Sequence, residues 1–431
     1  MSHLNYFEPY VSKNPWHEDQ LTRAFLVTMR FVPLVQAAFL DLVRESQTTA
    51  KSENIIPALS ALESACSVQT QISSISQEEG TLISVLMTDE HWTQQNIIEA
   101  SDRGARYDGL ICYPLSWILV IENKPWSDNV WEGQLSPNLA AGSKVHIDRT
   151  LAVVRWRTLI ERLSSLLERK LIHGAECLMV EDFFEFVDNN FFYLNPYGSF
   201  SLCKGREFLL QKRCVSILES IVAPDSLRVK RRQGGDFSYL ELAAGAATDA
   251  YFYPDKDYVD TGENGEWSVA INIHPGDTIR QARKFFENVN TDEFFGLEER
   301  GWIIEPNLHF AFMAKHLCWA KGTKANIRDY FEYWRGEGEI GQYARKPDPE
   351  GFQAYFQQWL DDEMISTSDI VDLEKHFTNT ERQSINVCPG FSVSFSWSKT
   401  EAERIDNQQC RFKEIVGARI SEALKTWGQT L

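Results

Sequence analysis

Residues 106–134 read RYDGLICYPLSWILVIENKPWSDNVWEGQ, and this stretch decides the fold of the first part of the chain. Two short apolar runs, Leu110–Tyr113 and Trp117–Ile121, flank a turn at residues 114–116. Apolar runs of this length around a turn predict the buried strands of a β-hairpin. The ionisable residues stand only at the open end of that hairpin.

The predicted hairpin brings three ionisable side chains together at one end of an apolar sheet. An antiparallel register that pivots on Leu115 pairs residues whose numbers sum to about 230, which sets Asp108 opposite Glu122. Side chains alternate between the faces of a strand, so Glu122 and Lys124 share a face, about 6.6 Å apart along it. Two carboxylates this close repel each other unless a cation or a proton lies between them. Hard oxygen ligands beside an ammonium group favour Mg²⁺ or Mn²⁺ over zinc.

These residues resemble the PD-(D/E)XK nuclease superfamily, in which a hairpin carries an Asp and then Glu-X-Lys and cuts phosphodiester bonds with Mg²⁺. Asp108, thirteen intervening residues and Glu122-Asn123-Lys124 match that pattern in order and spacing. The stretch IENKPWSDNVWEGQL is similar to one branch of the superfamily, in which I-E-N-K is followed by a loop and a helix bearing Gln-Leu. The resemblance covers residues 1 to 160 and ends there.

The branch pattern extends to further positions, with two departures. Gln134 would lie beside the site, and Glu18 in WHEDQLTRAFLVTMRF fits the Glu that the branch carries on an upstream helix. Tyr107 replaces the Pro of the superfamily's name, and Asn138 stands where a Tyr is often found.

The resemblance implies an α/β fold with a restriction-endonuclease-like mixed sheet flanked by helices. It implies a metal-dependent nuclease, with DNA as the expected nucleic acid. Asp108, Glu122 and the backbone carbonyl of Asn123 would bind Mg²⁺ or Mn²⁺, and Lys124 would orient the attacking water. Glu18 would hold a metal-bound water or a second ion, and Gln134 would fix the metal ligands from its helix.

Simpler interpretations of the same residues stay open. An acidic-X-Lys triplet at the end of an apolar strand is, by itself, more often a solvated strand end, and Glu18 also fits a first-turn carboxylate that stabilises a helix dipole. Glu99 is either a further carboxylate near the site or a solvated side chain. The alternatives at the level of function are a binding module without chemistry and an effector that cleaves only with a protein partner.

Length and charge set the domain organisation. The 431 residues suffice for two or three domains, and we expect a nuclease-like domain at 1–173 and a C-terminal α+β domain at 174–431 that selects substrate or partner. The net charge of −18 argues against a protein that coats nucleic acid broadly. Residues 1–175 hold 15 basic and 20 acidic side chains, so most of the excess acid lies in the second half.

The apolar runs, the N-terminal residues and the cysteine spacing bear on the cellular compartment, and the expected reaction bears on assembly. No run of eighteen apolar residues and no signal peptide is present, so we expect a cytoplasmic protein without a membrane contact. The eight cysteines have no zinc spacing and are expected to be reduced thiols. Cutting both strands of a duplex usually needs two active sites, and the C-terminal half is the candidate surface for a homodimer or a protein partner, although the sequence does not fix the oligomeric state.

Two basic segments are candidates for phosphate contact. One is the window LRVKRRQGG at residues 227–235, which predicts a mobile loop. The other lies between residues 144 and 170, where a local basic excess fits either a phosphate backbone or a mixed solvated face equally well. Its seven basic residues are Lys144, Arg149, Arg155, Arg157, Arg162, Arg169 and Lys170.

Periodicity predicts the remaining elements. Helices are expected at 17–45 with a break at Pro33, 55–62, 157–171, 277–289, 326–334, 352–361 and 401–427, and strands at 81–88, 96–100, 151–156, 237–242, 251–253, 267–273 and 302–313. In Phe391–Ser398, strict alternation puts four large apolar side chains on one face, which favours a half-buried strand over a base-stacking surface.

Overall fold

The computed structural model divides the chain into two compact units, residues 1–198 and 199–431. It describes residues 6–7, 18–49, 55–59, 66–90, 97–98, 106–113, 116–126, 130–131, 133, 139, 142–223, 228–231, 238–255, 266–313, 315–321, 326–347, 350–407 and 411–431.

Two consecutive helices, α1 (Glu18–Phe31) and α2 (Pro33–Thr49), open the N-terminal unit. Pro33 has no N–H and begins the second helix, which confirms the break expected there. Helical spacing buries Leu21, Phe25 and Thr28 on one stripe of α1.

A five-stranded mixed sheet forms the centre of this unit, in the order β1-β4-β5-β2-β7. The β4–β5 hairpin and the β1–β4 pair are antiparallel, whereas β2 runs parallel to both β5 and β7. A separate two-stranded parallel pair joins β3 to β6. The strands are β1 (Ser67–Ile72), β2 (Glu79–Met87), β3 (Ile97–Ile98), β4 (Tyr107–Cys112), β5 (Trp117–Asn123), β6 (Val130–Trp131) and β7 (Lys144–Val154).

The hairpin has the register that its sequence predicts. Gly109 pairs with Ile121 and Leu110 pairs with Val120, so the residue numbers of each pair sum to 230. Ile121 contributes to a large core shared with the helices, and Val120 contributes to a smaller core on the opposite face of the sheet. Burial on both faces explains why these strands read as continuous apolar runs.

The helices after the sheet carry the first unit past the expected boundary at residue 173. Helix α3 (Trp156–Glu168) is followed by α4 (Ala175–Asn190), whose Val180, Phe183 and Val187 belong to the same core as α1. The compact unit therefore ends near Gly198, because the apolar side of α4 is buried in it.

The C-terminal unit is an α+β arrangement built on one antiparallel sheet. Its strands follow the order β13-β12-β15-β11-β10-β9-β8, and β14 also pairs with β15. The strands are β8 (Val229–Arg231), β9 (Ser238–Glu241), β10 (Asp249–Pro254), β11 (Ser268–Ile273), β12 (Ile303–Phe312), β13 (Lys315–Trp319), β14 (Gln342–Ala344) and β15 (Ser384–Ser398). The helices are α5 (Glu207–Ile221), α6 (Ile279–Asn288), α7 (Thr291–Glu299), α8 (Ile327–Gly336), α9 (Gln353–Asp361), α10 (Thr367–Leu373), α11 (Lys399–Asn407) and α12 (Phe412–Lys425).

The alternating segment at 391–398 forms the end of β15, and its apolar face is core. Phe391 is fully buried, with ring centroids 5.0 Å from Phe285 and 5.2 Å from Phe294. Trp397 is also buried, and its ring lies 5.2 Å from that of Phe412. A base-stacking role for this face is therefore not supported.

Two helix expectations were wrong in extent. The single helix expected at 401–427 is two helices, α11 and α12, and residues 55–58 have no regular secondary structure where a helix was expected. The seven cysteines in the described ranges form no disulfide with one another. Within the same ranges, no single helix is long and apolar enough to cross a membrane, although the bent pair α1–α2 meets that test when its two helices are taken together.

Candidate functional site

Strand pairing brings the expected site residues to one end of the N-terminal sheet. Strands β2 and β5 run in parallel and end together, with Met87 beside Asn123. The Lys124 N–H donates to the Met87 carbonyl at 2.9 Å and continues this ladder. Because β4 is antiparallel to β5, Asp108 near the start of β4 lies at the same end as Glu122 and Lys124.

The ammonium group of Lys124 links two carboxylates from different elements. Its Nζ lies 2.9 Å from Oε1 of Glu122 and 3.0 Å from Oε1 of Glu18. Glu18 is the first residue of α1, and its side chain is 25% exposed, whereas that of Glu122 is 1% exposed. The structure thus joins Glu18 to the Glu-X-Lys triplet, although 103 residues lie between Glu18 and Glu122 in the sequence.

Asp108 is held by backbone and side-chain donors. Its Oδ2 accepts a hydrogen bond of 2.8 Å from the Asn123 N–H, and its Oδ1 lies 3.4 Å from Nε2 of Gln71. Gln71 also donates to Oδ1 of Asp19 at 2.7 Å. Sequence reasoning missed Gln71 and Asp19. Gln71 has a left-handed φ of 55° within the polar strand β1, and no sequence signal marked that position.

The Asn123 side chain ties the site strand to two helices. Its Nδ2 donates to the backbone carbonyl of Glu18 at 3.0 Å, and its Oδ1 accepts from Nε1 of Trp156 at 2.7 Å. Asn123 and Trp156 are both fully buried, so each bond satisfies a polar group that water does not reach. The middle residue of the Glu-Asn-Lys triplet therefore fixes the starts of α1 and α3 relative to β5.

Burial dominates the electrostatics of the two carboxylates. It raises the pKa of Asp108 to about 6, against the Asn123 N–H and Lys124, which lower it. Burial, reinforced by Asp108, raises the pKa of Glu122 to about 8 despite the ion pair with Lys124. Burial alone would lower the pKa of Lys124, but Glu122 and then Glu18 outweigh it and raise that pKa. Such a site gains from an added cation, because a cation favours the ionised form of both carboxylates.

The donor set suits a hard divalent cation. Asp108 and Glu122 supply carboxylate oxygens from adjacent strands, and Asn123 lies between the site groups with a backbone carbonyl. Among the described residues, no group of three or more His, Cys, Asp and Glu side chains is arranged to hold a metal ion. Gln134 and Glu99, both expected near the site, lie outside the described residues.

The basic segments are only partly available for phosphate contact. Arg162 on α3 forms an exposed ion pair with Glu45 at 2.6 Å, which fits the mixed solvated face. In the window at 227–235, Val229–Arg231 is an edge strand, and Lys230 pairs with Glu241 at 2.7 Å. The expectation of a mobile loop is therefore wrong for residues 229–231, and residues 232–235 lie outside the described part of the chain.

Comparison of the chain with models of known protein families, with curated proteins and with solved structures found no match.

Proposed function

We propose that this protein is a metal-dependent nuclease that hydrolyses phosphodiester bonds, with DNA as the expected substrate and a PD-(D/E)XK, restriction-endonuclease-like N-terminal unit. The observation that carries the proposal is the convergence of Glu18, Glu122 and Lys124, with Asp108 at the same sheet end. The mixed sheet packed against α1 to α4 fits the fold that the sequence resemblance implies. Restriction, repair and anti-phage defence are the settings in which such nucleases act.

Each residue has a distinct part in the proposed reaction. Asp108, Glu122 and the backbone carbonyl of Asn123 would hold Mg²⁺ or Mn²⁺. When bound, the ion polarises the scissile phosphate and lowers the pKa of a coordinated water. Lys124 would orient the attacking water and stabilise negative charge on the phosphate, and its position between two carboxylates keeps it protonated for that purpose. Glu18 would hold a water or a second ion. Gln134 would fix the metal ligands.

One observation favours the alternative of a binding module without chemistry. Lys124 already has two carboxylate partners, and an ammonium satisfied in this way also stabilises a purely structural cluster. The acidic C-terminal unit, with its own sheet, then suits the role of a domain that binds a protein partner or a second copy of the chain. Metal binding discriminates between the two functions, because a structural cluster needs no divalent ion.

Cleavage of supercoiled plasmid and of single strands, in Mg²⁺ and in Mn²⁺, tests the proposal. We expect Lys124→Ala to abolish cleavage while Mn²⁺ binding, measured by calorimetry, persists, because Lys124 is not a metal ligand. Glu122→Ala should lose both cleavage and Mn²⁺ binding. Glu45→Ala is the matched control, since it removes an exposed ion pair on α2 and should leave both unchanged.

The outcomes separate the candidate functions. Cleavage by Lys124→Ala at the wild-type rate would overturn the assignment. Mn²⁺ binding without cleavage in the wild type would direct the search to an activating partner. Absence of both would make the cluster structural.

A further inference from the structure

An exposed aromatic side chain stands two residues after Lys124. Trp126 is 49% exposed, and its ring lies nearly parallel to that of Phe191, with an interplanar angle of 8° and centroids 6.3 Å apart. Tyr193 meets the same indole edge-on at 6.3 Å, and its neighbour Phe192 is 72% exposed. We call Trp126 with residues 191–193 the Trp126 platform.

The platform is supported from below by the core of the N-terminal unit. Helix α4 ends at Asn190, where the Phe191 N–H donates to the Val187 carbonyl at 2.7 Å, and a short 3₁₀ turn follows at Phe192–Leu194. Phe191 is fully buried and packs against Phe186 at a centroid distance of 5.8 Å. One face of Trp126 therefore rests on a fixed ring, although about half of the side chain meets solvent.

Some buried polar atoms of the platform and its neighbours have no hydrogen-bond partner. Three buried atoms, Oη of Tyr193, Nε of Arg157 and Oδ2 of Asp89, have no hydrogen-bond partner among the residues that the structure describes. The three residues are neighbours, because the Arg157 N–H donates to Asp89 Oδ1 at 3.1 Å and Arg157 Nη2 donates to the Tyr193 carbonyl at 2.9 Å. Buried polar atoms are nearly always paired in folded proteins, so three orphans together mark a place suited to a polar ligand group.

Chain connectivity and hydrogen bonds place the platform near the candidate site. Trp126 lies two residues after Lys124. Arg157, which donates to the Tyr193 carbonyl, directly follows Trp156, whose Nε1 donates to Oδ1 of Asn123 at 2.7 Å. The residues that support the platform therefore adjoin the residues of the proposed catalytic cluster.

We propose that the Trp126 platform binds an unpaired nucleobase of single-stranded or frayed nucleic acid, next to the phosphate that Lys124 contacts. The inference rests on the proposed nuclease function and deepens it by naming the substrate class. A flat indole with one supported face is the surface on which bases stack, and a base inside a duplex cannot present its face to it. Because the unpartnered Arg157 Nε and Asp89 Oδ2 are buried, stacking on the indole, rather than hydrogen bonding to the edge of the base, supplies the interaction.

Binding without metal tests the platform separately from cleavage. The full chain is titrated in EDTA with a fluorescein-labelled single-stranded decathymidylate and with an abasic strand that carries the same phosphates. We expect the thymidylate to bind about tenfold more tightly than the abasic strand, as stacking of one base on an aromatic side chain supplies. Trp126→Ala and Trp126→Leu should abolish this preference, whereas Trp126→Phe should retain most of it.

Trp319→Ala is the control, because Trp319 is a comparably exposed indole in the C-terminal unit. Equal affinity of the wild type for both strands would overturn the platform, and so would a preference that survives in both Trp126→Ala and Trp126→Leu. Loss of the preference in Trp319→Ala alone would move base stacking to the other unit and would also overturn it. Base-dependent binding in a protein that neither cleaves nor binds Mn²⁺ would leave the platform standing and reject the nuclease.

Discussion

Glu122→Gln tests whether burial or the ion pair with Lys124 governs the centre of the site. Glutamine has the shape of the protonated acid, so the variant removes ionisation while the packing is kept. In the wild type the pKa of Glu122 is raised to about 8 from 4.5, chiefly by burial, and the side chain is 1% exposed. Since the folded pKa exceeds the unfolded one, the folded state binds more protons between these values, and stability is lost as pH rises from about 4.5 to 8.

The size of the effect follows from the same pKa difference. Each pKa unit corresponds to about 1.4 kcal/mol, so the free energy of unfolding of the wild type should fall by about 3 kcal/mol relative to the variant between pH 5 and pH 8. For a unit of this size, that is a relative change in Tm of about 6–12 °C. The contact with Lys124 needs no separate correction, because its effect on the ionised form is already contained in the folded pKa of Glu122.

Scanning calorimetry in EDTA at pH 5 and pH 8 measures this change in the transition of the N-terminal unit. Glu45→Gln is the control, because Glu45 is an exposed partner of Arg162 and should track the wild type at both pH values. Addition of Mn²⁺ at pH 8 should raise the Tm of the wild type more than that of Glu122→Gln, because binding to the folded state stabilises it. A Tm difference that stays constant between pH 5 and pH 8 would refute the reasoning, and would mean that Lys124 keeps Glu122 ionised throughout.

Two further predictions concern buried polar groups, one in each unit. Asn123→Ala leaves the buried Nε1 of Trp156 without its acceptor, so we expect a loss of about 1–3 kcal/mol in the free energy of unfolding, seen as a lower Tm of the N-terminal unit. An unchanged Tm would show that the clamp between β5 and the two helices is dispensable. His309 has its pKa lowered to about 4, first by burial and then by its stacked neighbour His316, so protonation destabilises the folded state. Stability of the C-terminal unit should fall, by on the order of 3 kcal/mol, as pH drops from 6.5 to 4, and His309→Gln should flatten that dependence whereas the exposed His173→Gln should not. Identical acid profiles for His309→Gln and the wild type would contradict this prediction.

Local sequence determined the elements that depend on short-range physics. The hairpin register followed from two apolar runs around one turn, because a slip of one residue would turn every buried side chain to the other face. The break at Pro33 followed from its missing N–H, and the strand at 391–398 followed from strict alternation. The charges at the open end of the hairpin could be located for the same reason, since a strand fixes the direction of each side chain.

Only the tertiary structure decided which distant groups meet those charges. The pairing of Glu18 with Lys124, the contact of Gln71 with Asp108 and the clamp from Asn123 to Trp156 each join residues more than 30 positions apart. The end of the first unit near Gly198 also depends on where α4 buries its apolar side, which its own sequence does not specify. Periodicity tells which side of an element is apolar, whereas the partner that covers that side is chosen by packing across the whole unit.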